Sequence, residues 1–146
     1  MGLGYFRTCI HTFDPMKLHP SEPRLLSVTA LVQSHVADVV GVGFSSGLVA
    51  IHDIRADEQL IQVRMDGGPV TAVAFRTDGQ EVLATANVTG NIALWDLNEG
   101  GRLLHIIRGA HDGPVASIQW IPGQPVLVSS SGDNSIKVNP SMSLGT

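Results

Sequence analysis

The segment Gly43-Phe-Ser-Ser-Gly47 carries residue types suited to nucleophilic catalysis, because it matches the G-x-S-x-G spacing of the nucleophile elbow in serine hydrolases. In those enzymes a strand, a sharp turn and a helix raise the serine, here Ser45, beside an oxyanion hole. The residues that follow, Leu48-Val-Ala-Ile51, form an apolar run typical of a β-strand and not of that helix. We therefore predict that Gly47 is a turn glycine, and a serine hydrolase remains only a minor alternative.

Metal and cofactor chemistry has little support in the sequence. Cys9 and His11 could supply two ligands, but a zinc site needs a second pair, so we predict no metal. Gly41-x-Gly43 lacks the third glycine and the following helix of a phosphate-binding loop, so we predict no cofactor. The sequon Asn87-Val-Thr89 is interpreted as a turn, because no secretory signal precedes it.

The composition excludes several classes of protein. The 146 residues include 16 Gly and 8 Pro, with 43% hydrophobic and 15% charged residues and a net charge of -4. This balance favours short strands and tight turns over long helices. No basic cluster supports direct nucleic-acid binding, and no apolar run reaches the roughly 18 residues that span a membrane. The single cysteine excludes an internal disulfide framework and is typical of a reducing compartment.

An internal repeat is the most informative feature of the chain. Leu48-Val-Ala-Ile-His-Asp-Ile54 aligns with Asn91-Ile-Ala-Leu-Trp-Asp-Leu97, which places His52 and Trp95 43 residues apart. Ile92-Ala-Leu-Trp95 aligns with Ile136-Lys-Val-Asn139 at an offset of 44 residues. A period of about 40–45 residues with a Trp-Asp dipeptide predicts the four-stranded blade of a β-propeller.

Alternating apolar and polar residues divide each copy into strands. We predict strands at residues 28–32, 38–43, 48–54 and 59–64 in the first copy, and at 70–75, 81–86, 91–97 and 102–108 in the second. The third copy has only three predicted strands, at 115–120, 126–130 and 135–138, and Pro140 is expected to interrupt it. Residues 7–13 are predicted to be the outer strand of a preceding blade, followed by a connecting loop at 14–23.

These strands predict an all-β fold, a partial β-propeller of about two complete antiparallel four-stranded blades and a truncated third. The predicted units are residues 1–24 for the preceding outer strand and loop, 25–64 and 65–108 for two blades, 109–139 for the truncated blade, and 140–146 for a tail. Because each blade normally buries its faces against two neighbours, we expect this chain to be a fragment.

The repeat resembles the WD-repeat family, and within it a subunit of the small-subunit processome. The matching residues include Pro69-Val-Thr-Ala-Val-Ala-Phe-Arg-Thr-Asp-Gly79, Gly90-Asn-Ile-Ala-Leu-Trp-Asp-Leu97 and Ala110-His111. The resemblance implies a non-catalytic scaffold of the nucleus and nucleolus that acts in small-subunit rRNA processing. It would bind other proteins of a ribonucleoprotein assembly and no small-molecule substrate. A WD-repeat module of another assembly, such as a ubiquitin-ligase substrate receptor, is the alternative.

The resemblance also implies structural roles for Trp95, Asp96, His111 and Asp133. In WD repeats a loop histidine, a strand serine or threonine, a turn aspartate and the tryptophan share a hydrogen-bond network. In the third copy His111 and Asp133 occupy two of these places, with Ser129 or Ser130 between them and Asn139 in place of the tryptophan. A catalytic His-Asp pair is the minor alternative, and the second copy offers Asp66 and Thr89 at the matching positions. Trp95 is expected to pack between the second and third copies, and Trp120 is also expected in the core.

Overall fold

The computed structural model describes residues 27–35 and 38–140. The expectations for the strand at 7–13, the loop at 14–23, Cys9, His11 and residues 141–146 lie outside the described residues. Short stretches of alternating or continuous apolar residues form the β-strands. Within the described residues these strands are β1 (Val28–Gln33), β2 (Val39–Phe44), β3 (Leu48–Asp53), β4 (Glu58–Arg64), β5 (Val70–Phe75), β6 (Val82–Asn87), β7 (Ile92–Asp96), β8 (Arg102–Ile107), β9 (Val115–Trp120), β10 (Val126–Ser131) and β11 (Ile136–Pro140).

The strands form three antiparallel sheets in which consecutive strands are neighbours. The first sheet has the order β1-β2-β3-β4, the second has β5-β6-β7-β8, and the third has β9, β10 and β11. The inner strand β5 of the second sheet lies against both β1 and β9, so the sheets are arranged side by side around their inner strands. This architecture confirms the prediction of an all-β partial propeller with two four-stranded sheets and one shorter sheet.

Tight hairpin turns connect the strands, and Gly90 shows why glycine is needed at one of them. Its φ of +88° lies in the left-handed region, and a Cβ atom on Gly90 would come within 2.1 Å of the His111 backbone oxygen. The Gly90 backbone oxygen also accepts a hydrogen bond from the His111 backbone N–H at 3.1 Å. The turn between β6 and β7 is therefore packed directly on the loop that leads into the third sheet.

Two apolar clusters join the sheets. The cluster between the first and second sheets contains Val49, Ile51, Val63, Met65, Val70, Val73, Leu83, Ala93 and Trp95. The cluster between the second and third sheets contains Ala72, Ala74, Val82, Ala84, Ala86, Ile92, Leu94, Ala110, Val115, Ile118, Trp120 and Leu127. A smaller buried cluster, Phe44, Leu48 and Ala50, comes from the first sheet alone among the described residues.

The expected packing of Trp95 between the second and third copies is wrong. Trp95 belongs to the cluster that joins the first and second sheets, whereas its neighbour Leu94 belongs to the cluster shared with the third sheet. Side chains alternate between the two faces of a strand, so adjacent residues of β7 contact different sheets. The repeat identified Trp95 as a core residue but did not show which sheet lies on which face.

The end of the third sheet also differs from the sequence prediction. Strand β11 does not stop at Val138 but continues to Pro140, which lies opposite Val126 of β10. Within the described residues β11 has β10 as its only neighbouring strand. Proline is tolerated in such an edge position because its missing N–H removes no ladder hydrogen bond on the open side.

Candidate functional site

His111 lies at the centre of the polar cluster in the third sheet. Its Nε2 atom is 2.8 Å from the Ser129 hydroxyl, and its Nδ1 atom is 3.2 Å from Asp133 Oδ2 and 2.8 Å from the Ser135 hydroxyl. We place the ring proton on Nδ1, because the carboxylate beside it can only accept hydrogen bonds. Nε2 then accepts a hydrogen bond from Ser129, which lies on β10.

Asp133 is held as a carboxylate by several donors. The Ser135 hydroxyl donates to Oδ1, the Asp112 backbone N–H donates to Oδ2 at 2.9 Å, and the Ser135 backbone N–H donates to Oδ1 at 2.9 Å. The hydrogen bond from the Ser135 hydroxyl, followed by that from the Asp112 backbone, holds the pKa of the Asp133 carboxyl well below its usual range. Asp133 therefore connects the β10–β11 turn to the loop that carries His111.

The order Ser129, His111 and Asp133 has the connectivity of a catalytic triad, but Ser129 is not accessible. Only 1% of Ser129 is exposed, and the side chain of His111 is completely buried. A serine nucleophile must reach a substrate carbonyl, and a serine enclosed in the sheet cannot do so. The arrangement instead joins a loop, a strand and a turn within one sheet, as buried polar networks commonly do.

Asn139 occupies the strand position that Trp95 has in the second sheet. Asn139 pairs with Leu127, as Trp95 pairs with Leu83 in the second sheet. The Asn139 Nδ2 atom is buried and has no hydrogen-bond partner in the described part of the chain. The polar cluster around His111 therefore lacks the indole that the second sheet has at this position.

In the second sheet the indole of Trp95 donates a hydrogen bond to Thr85. Trp95 Nε1 lies 2.9 Å from Thr85 Oγ1, and the Thr85 hydroxyl approaches the sulfur of Met65 at 3.7 Å. Thr85 and Ser129 hold equivalent positions on β6 and β10 at an offset of 44 residues. The hydroxyl of the second strand thus contacts the indole in one sheet and the imidazole in the next.

Asn87 organises the loops of the second sheet, and the sequence analysis did not single it out for this role. Its Nδ2 donates to the Asp66 backbone oxygen at 2.9 Å, while its Oδ1 accepts from the Thr89 hydroxyl at 2.8 Å and the Asn91 backbone N–H at 3.1 Å. Asp66 and Thr89 thus approach each other through Asn87, and Asp66 contributes its backbone oxygen. Asn87 is 0% exposed.

A repeat signal could have revealed this role of Asn87. Ser131 lies 44 residues later, and its hydroxyl donates to the Pro114 backbone oxygen at 2.8 Å. Asn87 and Ser131 therefore both end the second strand of their sheet and bind the loop before the inner strand. Aligning the polar residues at this register would have indicated a side chain that binds the incoming loop.

His52 replaces the tryptophan in the first sheet. It pairs with Val40 of β2, and its Nε2 lies 3.1 Å from Asp57 Oδ1 in the β3–β4 turn. Asp57 has a φ of +53°, a left-handed conformation that aspartate, asparagine and glycine adopt more readily than other residues. The imidazole of His52 therefore holds the turn, whereas the indole of Trp95 binds the neighbouring strand.

Asp96 lies at the end of β7 and shapes the turn that follows. Its Oδ1 accepts a hydrogen bond from the Asn98 backbone N–H at 3.0 Å, and its Oδ2 lies 3.7 Å from Arg102 Nη2. The equivalent Asp53 accepts hydrogen bonds from the backbone N–H groups of Arg55 and Ala56. Aspartate at this position stabilises the β-turn by binding backbone N–H groups two or three residues later.

Arg76 connects the β5–β6 turn of the second sheet to Trp120 of the third sheet. Its guanidinium makes two hydrogen bonds of 2.7 Å with the Asp78 carboxylate and lies 5.5 Å from the centre of the Trp120 ring. The hydrogen bonds from Arg76 lower the pKa of Asp78. Trp120 Nε1 donates a hydrogen bond to the Ala74 backbone oxygen at 3.2 Å. Trp120 of the third sheet therefore contacts both a backbone group and a side chain of the second sheet.

The other candidate sites have no catalytic geometry in the described residues. Gly43-Phe-Ser-Ser-Gly47 forms the end of β2 and the turn before β3, and Gly47 has a φ of +92°. No group of three or more histidine, cysteine, aspartate or glutamate residues in this part of the chain is placed to hold a metal ion. In the same residues no helix is long and apolar enough to cross a membrane.

The family model described as WDR36/Utp21 first beta-propeller matches residues 6–139. The chain belongs to this family. Human WD repeat-containing protein 36 is 41% identical over 113 residues, which cover 77% of this chain and 12% of that protein. The U3 small nucleolar RNA-associated protein 21 homolog of Schizosaccharomyces pombe is 38% identical over 110 residues, 75% of this chain and 12% of that protein. This WDR36/Utp21 chain thus spans about an eighth of the length of these relatives.

Solved structures support the propeller architecture of the WDR36/Utp21 chain. The RRP9 WD40 repeats superpose with a TM-score of 0.71 and 22% identity, over 82% of this chain and 37% of that chain. A structure of the mitotic checkpoint complex gives a TM-score of 0.74 and 21% identity, over 84% of this chain and 36% of that chain. These similarities show the fold.

Proposed function

We propose that this chain is a non-catalytic scaffold segment of a small-subunit processome component that acts in small-subunit rRNA processing. The observation that carries the proposal is the WDR36/Utp21 family match over residues 6–139. The name of the Schizosaccharomyces pombe relative connects this family to the U3 small nucleolar RNA. We propose a nuclear and nucleolar location on the same grounds.

The polar side chains support a structural rather than a catalytic role. His111, Asp133 and Ser129 bind one another inside the third sheet, while Trp95 binds Thr85 inside the second. Trp95, Asp96, His111 and Asp133 are therefore proposed as residues that hold blades and turns in place. A fluorophosphonate probe should leave Ser45 unlabelled, and labelling of Ser45 in the folded chain would restore the hydrolase alternative.

We propose that the partners are other proteins of a ribonucleoprotein assembly. Rigid sheets present their hairpin loops for such contacts, and loops on a rigid scaffold are common binding sites. The net charge of -4 gives no electrostatic attraction to a phosphate backbone, so direct contact with nucleic acid is not expected. A membrane or a small-molecule substrate is not part of the proposal.

Affinity purification of the tagged chain from eukaryotic cells tests this function. We expect U3-containing pre-ribosomal particles to be recovered at low salt, and other processome proteins to remain bound after ribonuclease treatment. A tagged WD-repeat segment of unrelated function is the control for nonspecific binding of proteins to WD-repeat surfaces. Recovery of cullin-type ubiquitin ligases without pre-ribosomal particles would contradict the proposal and favour a substrate receptor.

A further inference from the structure

A small cavity lies between the first and second sheets, beside the β5–β6 turn. Its volume of about 50 Å³ has room for a few water molecules or for one small polar group. The β5–β6 turn lines it with Arg76, Gln80 and Glu81, and Ser34 and His35 line it from the end of β1. These residues belong to two sheets that pack on each other within the chain, so no further sheet is needed to form the cavity.

Arg76 brings an unpaired hydrogen-bond donor to this cavity. Its Nε and Nη2 atoms both donate to the Asp78 carboxylate at 2.7 Å, so one side of the guanidinium is already used. The third nitrogen, Nη1, is buried and has no hydrogen-bond partner in the described part of the chain. Only 5% of the Arg76 side chain is exposed. Because a buried donor without a partner is costly, and nearly all buried polar groups have one, Nη1 indicates a place for an acceptor.

The guanidinium of Arg76 is held in place by the chain itself. The two hydrogen bonds to Asp78 fix its plane, and the ring of Trp120 lies 5.5 Å away. A planar guanidinium that is already oriented loses little further conformational freedom when it donates one more hydrogen bond. Arg76 is therefore suited to bind a ligand group, although its charge is already paired.

The charges around Arg76 favour an uncharged acceptor. The hydrogen bonds from Arg76 that lower the pKa of Asp78 keep it a carboxylate at neutral pH, so it balances the guanidinium. Glu81 adds another carboxylate at the exposed rim, and no other lysine or arginine is among the described residues of the lining. A carboxylate ligand would be repelled by Asp78 and Glu81. A primary amide avoids this repulsion, because its carbonyl can accept from Nη1 and its NH₂ group can donate to Glu81.

We propose that this cavity binds the side-chain amide of a glutamine on a partner protein, with Arg76 Nη1 donating to the amide carbonyl. Since Arg76 is nearly buried, a long side chain reaches it more easily than a backbone carbonyl does. The apolar lining residues Phe75, Val82 and Leu97 can contact the methylene groups of such a side chain. The inference rests on the protein partners proposed above and assigns one of their contacts to the end of the sheets that carries the β5–β6 turn.

Titration of the purified chain with N-acetylglutamine N-methylamide tests this contact, because the side chain is the only primary amide of that compound. The NMR signal of the Arg76 Nε–H group, assigned by its absence in Arg76→Lys, reports on the guanidinium. We expect a saturable shift at millimolar concentrations. The matching glutamate and norleucine compounds should bind at least about tenfold more weakly, because one brings a like charge toward Asp78 and the other has no side-chain acceptor.

Two pairs of variants locate the binding site. Gln80→Phe places a ring at the exposed rim, leaves Arg76 and Asp78 unchanged and should abolish glutamine binding. Gln62→Phe is its matched control, because Gln62 is exposed on β4 and does not line the cavity. Arg76→Lys should also abolish binding, as measured by backbone amide shifts, whereas Arg102→Lys on β8 should not. Circular dichroism checks that each variant is folded, and Gln80→Phe keeps the test valid if Arg76→Lys is not.

Several outcomes would overturn the proposal. Equal binding of the glutamine and norleucine compounds, or a preference for glutamate, would exclude an amide site, and binding that persists in Gln80→Phe would place the contact elsewhere. If no compound shifts the Arg76 signal, water is the only partner of Nη1 and the proposal is wrong. The titration contains no other protein, so its result is independent of the recovery of pre-ribosomal particles that tests the proposed function.

Discussion

Replacing Trp95 by alanine should lower the free energy of unfolding by about 3–5 kcal/mol, the usual cost of deleting a buried aromatic side chain. The magnitude follows from the position of the ring, which is 7% exposed within the cluster between the first and second sheets. The substitution also removes the donor of the 2.9 Å hydrogen bond to Thr85. Because the free energy of unfolding of a whole domain is typically about 5–15 kcal/mol, this single substitution should remove a large share of it.

Urea unfolding followed by far-ultraviolet circular dichroism measures this loss without relying on the fluorescence of Trp95. Trp95→Phe keeps an aromatic ring and removes the indole N–H, so its cost should be smaller, about 1–3 kcal/mol. Leu60→Ala is the control, since Leu60 is an exposed residue of β4 and surface changes usually fall within about 0.5 kcal/mol.

Double-mutant cycles test which sheets Trp95 joins. Trp95→Ala and Ile51→Val both change the cluster between the first and second sheets. The loss of unfolding free energy in the double mutant should therefore differ from the sum of the two single losses by about 0.5–3 kcal/mol. Leu127 belongs to the other cluster, and Leu127→Ala should combine with Trp95→Ala almost additively. A loss below about 1 kcal/mol for Trp95→Ala, or coupling to Leu127 but not Ile51, would refute the packing described here.

Four further substitutions test the polar cluster and the turns. Ser129→Ala leaves the buried Nε2 of His111 without its hydroxyl partner and should cost about 1–3 kcal/mol in urea unfolding. The lowered pKa of Asp133 stabilises the fold above the unfolded value of about 3.9, and this contribution is lost as the pH falls through the folded-state pKa. The urea midpoint of Asp133→Asn should therefore decline less on acidification than that of the unchanged chain, and equal declines would contradict this. Gly79→Ala should cost only the roughly 1–2 kcal/mol of a left-handed backbone, whereas Gly90→Ala should cost more by thermal melting because its Cβ meets the His111 oxygen.

The fold could be predicted because its signals are local and repeated. Each hairpin brings together residues close in sequence, and the short apolar runs of β5 and β7 mark the strands. The observed strand ends differ from the predicted ones by one or two residues. The third strand of the third sheet was predicted to end at residue 138, whereas β11 ends at Pro140. Strand ends depend on backbone hydrogen bonds with a neighbouring strand, and single residues carry little information about them.

The polar cluster was only partly visible in the sequence. The positions of His111 and Asp133 followed from the repeat, but the choice between Ser129 and Ser130 depended on which face of β10 turns toward His111. Ser135 and Asn87 were not singled out as hydrogen-bonding residues, although both bind the loops around the turns. Their roles arise between segments that are distant in sequence, where spacing gives no geometric restraint.

The sequence by itself determined the strand pattern, the repeat of about 43 residues and the turn position of Gly47, because these depend on neighbouring residues and backbone conformation. The tertiary structure alone decided that Trp95 contacts the first sheet, that Ser129 binds His111, and that Ile136 remains exposed on the third sheet. The physical reason is that a β-strand has two faces. Its sequence shows what each face carries, and only the packing of whole sheets determines what each face contacts.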